Sequence, residues 1–202
     1  MRSTFSAGFM ILVTLSVSAA SHFTKRAVTL PPVNGKFDYQ IGGAYPPAAD
    51  VRVVDRDRSD SPVPGKYNIC YINAFQTQPD EADFWFNNPA NAALVLHKSN
   101  GDPFEDPDFE GEFLLDTRTE SNRQAIATIL NGWIDDCHSK GFDAIEPDNL
   151  DTFTRSNHLL TAAENLALAK LFTDHAHSLG LAVAQKERWR RTWNERKVNR
   201  WV

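Results

Sequence analysis

The sequence predicts an α/β fold built of parallel strands joined by crossover helices, and three observations carry that reading. Short apolar strands alternate with helices along the chain. Two helices carry start and stop signals at both ends. Polar residues cluster just past the strands, at Asp38/Gln40, Asp55/Asp57, Asn73, Asp116/Arg118, Glu146/Asp148/Asn149 and Lys186. That end of a parallel strand is where such folds place their chemistry. A barrel of eight strand–helix units needs about 250 residues, and roughly 180 follow the leader here. Six strands can be counted, so the residues alone leave two architectures open: an open sheet, or a barrel without its end.

Residues 1–20 read as a secretory leader, with Arg2 as the positive start, Phe9 to Val17 as a short apolar core and Ser18-Ala19-Ala20 as a cleavage site. The apolar run is too short to span a bilayer, and no later segment could cross one, so no membrane partner is expected after cleavage. Residues 21–35 form a lead-in with a possible dibasic processing site at Lys25-Arg26. The domain proper is expected at 36–186.

Its first strand is Phe37–Ile41, stopped by Gly42-Gly43. The second is Val51–Asp57, with β-branched bulk at Val51, Val53 and Val54. The third is Tyr67–Ala74. Glu81–Asn91 reads as a short helix or irregular loop, Leu94–Leu96 as a short extra strand and Glu112–Arg118 as the fourth main strand. A helix follows, with Ser121 and Gln124 at capping-box spacing and an apolar face of Ile126, Ile129, Leu130, Trp133, Ile134 and Cys137. Gly141 suits its left-handed stop. The fifth strand runs from Gly141 into Glu146-Pro147-Asp148-Asn149. Thr161 and Glu164 form a second box before the face of Leu168, Leu171, Phe172, His175 and Leu179. Gly180 stops that helix, and Leu181–Lys186 is the sixth strand.

Composition is that of a globular protein, 42% hydrophobic and 23% charged. The net charge of −5 hides an asymmetry, since Glu187–Val202 holds six basic and two acidic residues. The rest of the chain is acidic and has no basic stripe for nucleic acid. Acidity fits a secreted enzyme with a neutral or cationic substrate, or serves solubility alone. The tail also carries three of the five tryptophans. It reads either as an arm for membrane or anionic polymer, or as a segment foreign to the ancestral fold. Cys70 and Cys137 are compatible with a disulfide in an exported protein, but spacing leaves their pairing open.

Strand alternation puts Phe142, Ala144, Glu146 and Asp148 on one face and Asp143 and Ile145 on the other. Two carboxylates thus point the same way at a strand end, which suits acid–base work or, equally, capping and ion pairing. Asp38 and Gln40 share a face and could bind hydroxyls or an ammonium group. Tyr39 and Tyr71 could stack on a sugar ring or pack in the core. Asn149 suits a sugar hydroxyl or a turn, Asp116 a ligand contact or a loop cap, and Lys186 could pair with Asp148. His175 and His177 are two apart and face different ways on a helix, so they do not read as a metal site. No zinc or phosphate motif is present, and no cofactor is expected.

The runs Phe37–Tyr45, Ile69–Ile72, Gly141–Asn149 and Gly180–Lys186 resemble glycoside hydrolase family 114, the secreted endo-α-1,4-polygalactosaminidases often grouped by name with α-galactosidases. Phe-Asp-Ala-Ile-Glu-Pro-Asp-Asn is the most specific of these runs. The resemblance implies a TIM-like (β/α) barrel, incomplete here, with about six of eight strands. It implies a hydrolase acting on α-linked galactose-configured polysaccharide by an acid/base carboxylate mechanism, monomeric if complete, with Asp148 and Glu146 as its expected catalytic residues and Asp148 the first of the two. Asp38, Gln40, Tyr71, Asp116, Asn149 and Lys186 are the expected substrate-binding residues. The family has Asn where Glu187 stands, and its second catalytic carboxylate lies in a region that Glu187–Val202 does not match. The alternative is a non-catalytic carbohydrate-binding or wall protein of the same fold.

Overall fold

The computed structural model describes residues 27–186 and the backbone of Arg200–Trp201. The leader, the Lys25-Arg26 site and most of the basic tail lie outside the described residues. Strands β1 (Lys36–Gln40), β2 (Val51–Asp57), β3 (Tyr67–Asn73), β4 (Ala144–Asp148) and β5 (Ala182–Gln185) pair in sequence order, each parallel to the next. The two-residue β6 (Arg200–Trp201) runs antiparallel to β5. Strand order that advances without reversing is the winding of a barrel; a doubly wound sheet reverses at a switch point. The protein is therefore an α/β fold of the (β/α)-barrel kind, with its ring not closed among the described residues.

The alternation of side chains sorts the core into two layers. Val53, Tyr67, Ile69, Ala144 and Ala182 point inward and fill a small interior cluster. Cys70, Ile72, Ile145 and Val183 point outward, against Ile126, Leu130 and Ile134 of one helix and Leu168, Phe172 and Ala176 of another. Those helices are α3 (Glu120–Lys140) and α4 (Ala162–Leu179), the crossovers that precede β4 and β5. Phe142 packs with the outward layer. It precedes β4 proper, so strand alternation does not govern it.

Gly141 and Gly180 end the two helices at φ 94° and 85°, in the left-handed region that glycine enters without a Cβ clash. Thr161 and Glu164 cap α4 reciprocally. The cap of α3 sits two residues earlier than the spacing suggested: the Thr119 hydroxyl accepts the Asn122 amide at 3.0 Å. Thr119 keeps extended backbone at ψ 150°, as an N-cap requires, while Ser121 is already inside the helix.

A second correction concerns Glu112–Arg118. It is not a strand of the parallel sheet, so the parallel strands number five among the described residues. Residues 74–118 instead form a long excursion. It contains the short helices α1 (Ala82–Phe86) and α2 (Pro89–Ala92) and is tied by isolated antiparallel bridges, among them Gln76 to Leu114 and Val95 to Leu115. Leu96, Phe104, Leu114 and Leu160 make it a satellite core. Its apolar run is buried beside the sheet, without a ladder. The excursion is anchored by a disulfide: Cys70 on β3 bonds Cys137 in the last turns of α3, with Cα atoms 6.1 Å apart.

Candidate active site

The inward positions of β1, β3, β4 and β5 converge at the carboxyl ends of the strands. β4 presents Glu146 and Asp148, 9% and 8% exposed. Pro147 between them removes one ladder donor and brings β4 to its end. In register beside them on β3 stand Tyr71, opposite Glu146, and Asn73, opposite Asp148. Lys186 follows β5 and reaches back across the mouth.

Asp148 is the best-held group. Its Oδ2 accepts from the Tyr71 hydroxyl at 2.7 Å and the Lys186 ammonium at 2.8 Å, and its Oδ1 accepts the Asn149 amide at 2.9 Å. Lys186 also donates to the Tyr39 hydroxyl at 2.8 Å, and Tyr39 in turn donates to Glu146 at 3.1 Å. Glu146 lies 3.8 Å from the same ammonium. Lys186 thus ties both carboxylates, more closely to Asp148, and stacks its cation within 5.3 Å of the Tyr39 and Tyr71 rings.

The electrostatics follow from burial. Desolvation pushes the Glu146 carboxyl above the ordinary glutamate value, against the pull of the Lys186 charge. Burial works against the Lys186 ammonium too, but its bonds to Asp148 and Tyr39 outweigh that and hold its pKa above the usual lysine range. Burial, with Asp148 alongside, keeps the Tyr71 phenol protonated far into base. Tyr71 is therefore a constant donor.

Asp55 belongs to this set, although only its place at a strand end marked it in the sequence. It is fully buried on the inner side of β2, and desolvation and the Glu146 charge push it up to about 10. No sequence signal could have joined it to Glu146, because the two meet only through the curvature of the sheet.

The structure does not bring every expected residue to the mouth. Asp38 and Gln40 do share a face, but it is the outward one. Gln40 accepts from the Arg56 guanidinium at 2.9 Å and donates to Asp38, which also accepts from Tyr45 at 2.6 Å. Asp116 holds Arg118 through a forked ion pair of 2.8 and 2.7 Å. Asn149 is at the mouth in left-handed backbone, φ 65°, and its amide is held by Asn73 at 3.0 Å and Arg155 at 3.1 Å. Asn73 continues the network to Glu112 at 2.9 Å. Beneath the polar layer a cavity of about 220 Å³ lies between β1 and β5, lined by Phe37, Val53, Ile69, Glu146 and Lys186, with the lead-in at Pro31-Pro32 along one side.

The family model described as glycoside-hydrolase family GH114 matches residues 18–197. The chain belongs to family GH114. Among solved structures it is similar to Aspergillus fumigatus Ega3 in complex with galactosamine, at 21% identity and TM-score 0.57, over 79% of this chain and 62% of that one. It is also similar to the glycoside hydrolase domain of PelA from Pseudomonas aeruginosa, at 15% identity and TM-score 0.47, over 75% of this chain and 58% of that one. No curated protein matches it. The GH114 chain described here thus spans about three fifths of the length of these solved relatives. Among the described residues no helix is long and apolar enough to cross a membrane, and no group of His, Cys, Asp and Glu is placed to hold a metal ion.

Proposed function

We propose that this GH114 protein is a secreted hydrolase of α-linked, galactose-configured polysaccharide, poly-α-1,4-galactosamine in the first instance, with Asp148 as its catalytic carboxylate. The observation that supports this reading is the way Asp148 is held: an inward carboxylate at a strand's carboxyl end, fixed by a phenol, an ammonium and a backbone amide. Such preorganisation suits a group that stabilises or attacks a developing oxocarbenium centre. Glycoside hydrolysis also needs a second carboxyl across the scissile bond. Glu146 shares a strand face and an ammonium with Asp148, so it stands on the same side of a bound sugar. Its role is to act on Asp148, and the partner carboxyl must approach from the opposite side. The half-exposed ring of Tyr39 offers a stacking surface at the mouth, and the acidic cluster favours an amino sugar over a neutral one. The galactosamine bound in the fungal relative agrees with that preference.

A second reading has its own support. Both carboxylates are nearly buried and tied to Lys186, an arrangement that would also serve a non-catalytic carbohydrate-binding or wall protein. One experiment separates the two. The purified chain and an Asp148→Asn variant are incubated with α-1,4-galactosamine oligomers, with products and bound oligomer both measured. The hydrolase reading expects turnover that falls at least about 100-fold in the variant, with binding retained. Equal turnover in both proteins would sink the assignment of Asp148. Binding without turnover in either would favour the binding protein.

A further inference from the structure

Asp55 poses a problem that the site has to solve. It sits on β2 level with Tyr39 of β1 and Ile69 of β3, its side chain turned inward, at 0% exposure. Neither of its carboxyl oxygens receives a hydrogen bond. A bare carboxylate in that position would be among the costliest groups a protein can bury. The charged and titratable groups that act on it are Tyr39 on β1, Glu146 and Asp148 on β4, and Lys186 after β5; Tyr71 on β3 stands in register with Glu146. Each donor in that set is directed elsewhere. Tyr39 has one proton, given to Glu146; Tyr71 has one, given to Asp148; Lys186 bonds Asp148 and the Tyr39 oxygen.

The carboxyl that acts most strongly on Asp55 is that of Glu146, which shares the inward face and accepts from Tyr39, the residue level with Asp55 on β1. Two carboxylates are both acceptors, so they bond to each other only if one of them brings a proton. Glu146 already has Tyr39 as a donor and lies 3.8 Å from the Lys186 ammonium; Asp55 has no donor, and the Lys186 charge does not offset the cost of its burial. The proton therefore belongs on Asp55.

We propose that Asp55 is a positioning residue: as a neutral carboxylic acid it donates a hydrogen bond to Glu146, anchors that side chain, and so leaves Lys186 closest to Asp148. Glu146 is then held from two sides, by the Asp55 acid and the Tyr39 phenol. The ammonium settles 2.8 Å from Asp148 and 3.8 Å from Glu146. The functional value of this arrangement rests on the reading of Asp148 as the catalytic carboxylate; the proton on Asp55 does not.

The test is a carboxyl titration of the intact chain, with Asp and Glu labelled at the side-chain carboxyl carbon and followed by NMR. It needs no turnover, so it fails or succeeds independently of the hydrolase assignment. The expected result is one Asp carboxyl that stays protonated through neutral pH and disappears from the spectrum in Asp55→Asn. If every Asp carboxyl ionises in the ordinary acidic range, the proposal is overturned. Glu146 supplies the second readout. Asparagine can still donate to it, so Asp55→Asn should leave the Glu146 midpoint where it is. Asp55→Leu removes the donor and should raise that midpoint by about 1 pH unit. A fall in the Glu146 midpoint in Asp55→Asn would mean that a negative charge had been removed, and would overturn the neutral acid. Should the leucine variant not fold, the sign of the asparagine effect decides alone.

Discussion

At the scale of single residues, Lys186 organises the site, because it is the cation that two nearly buried carboxylates share. Lys186→Met would leave Asp148 and Glu146 facing each other with no counter-charge. With more than a third of the Lys186 side chain facing water, the expected loss of stability is about 1–3 kcal/mol, less than for a fully buried pair. The Lys186 ammonium is held above the ordinary lysine value, so its contribution is complete below about pH 10 and is lost as pH rises through the folded pKa. Urea titrations of both proteins near neutral pH should show the full gap; equal midpoints would contradict the shared-cation role. Asp55 has the same sign over a wider window. Its folded value near 10 stands against an ordinary 3.8, so the unfolded chain releases that proton first. Stability therefore falls as pH rises from about 4 toward 10. Melting temperatures measured across that range should decline, and the decline should flatten in Asp55→Asn. These residues also mark what the sequence could say of the site. Glu146, Asp148 and Lys186 were legible because alternation and strand ends are local properties. Asp55 was not, because its chemistry depends on a partner from a strand two places away. The face shared by Asp38 and Gln40 was readable, but not which side of the sheet it was, since β1 buries its polar Gln40 and leaves Phe37 and Tyr39 exposed, the reverse of the usual pattern.

At the scale of elements, the helices explain why the strands stay in register. α3 is pinned at one end by the Thr119 cap and at the other by Cys137, bonded to Cys70 on β3. The bridge closes a loop with a sequence separation of 67, which includes the whole excursion between β3 and α3. In the chain-entropy account, closing a loop of that length stabilises the fold by about 4 kcal/mol. Cys137→Ala should therefore lower unfolding free energy by roughly 2–4 kcal/mol. It should do so without changing far-UV ellipticity, because Cys137 belongs to an outward layer that remains packed. A variant as stable as the parent by urea titration would show that the bridge is incidental. Both glycine stops and the α4 box could be read from spacing, because those signals lie within a few residues of one another. Glu112–Arg118 could not. Its run of Phe113, Leu114 and Leu115 satisfies a strand's composition, yet its backbone groups bond those of Phe75, Thr77, Leu96 and Phe104 across the excursion. Composition reports that a segment is buried; the partner chosen by its backbone is a long-range fact.

For the whole molecule, the decisive feature is a ring of parallel strands that does not close among the described residues. Among the described residues β1 pairs only with β2, and β5 carries only the two-residue β6 on its other side. A closed barrel has no edges; an arc of parallel strands has two, each a row of amide and carbonyl groups available to another chain. Strand count in the sequence pointed the same way, six being expected within residues 36–186 where a closed ring of this kind has eight. The cavity bordered by Phe37 and Lys186 lies at that opening, between β1 and β5. The edge of β1 is only lightly guarded. Lys36 is engaged by Asp50 at 2.9 Å, and Phe37 and Tyr39 remain substantially exposed. Edge-to-edge pairing is then the favoured way to satisfy both the free backbone and the apolar side chains. The purified chain should sediment with a mass that grows with concentration across the micromolar range. Asp38→Pro, which removes a ladder donor from β1, should suppress that growth if the edge turned outward supplies it. A single monomer boundary at every concentration, with a cooperative melt, would mean that residues beyond those described cover the edge, and the arc would then be a closed body in solution.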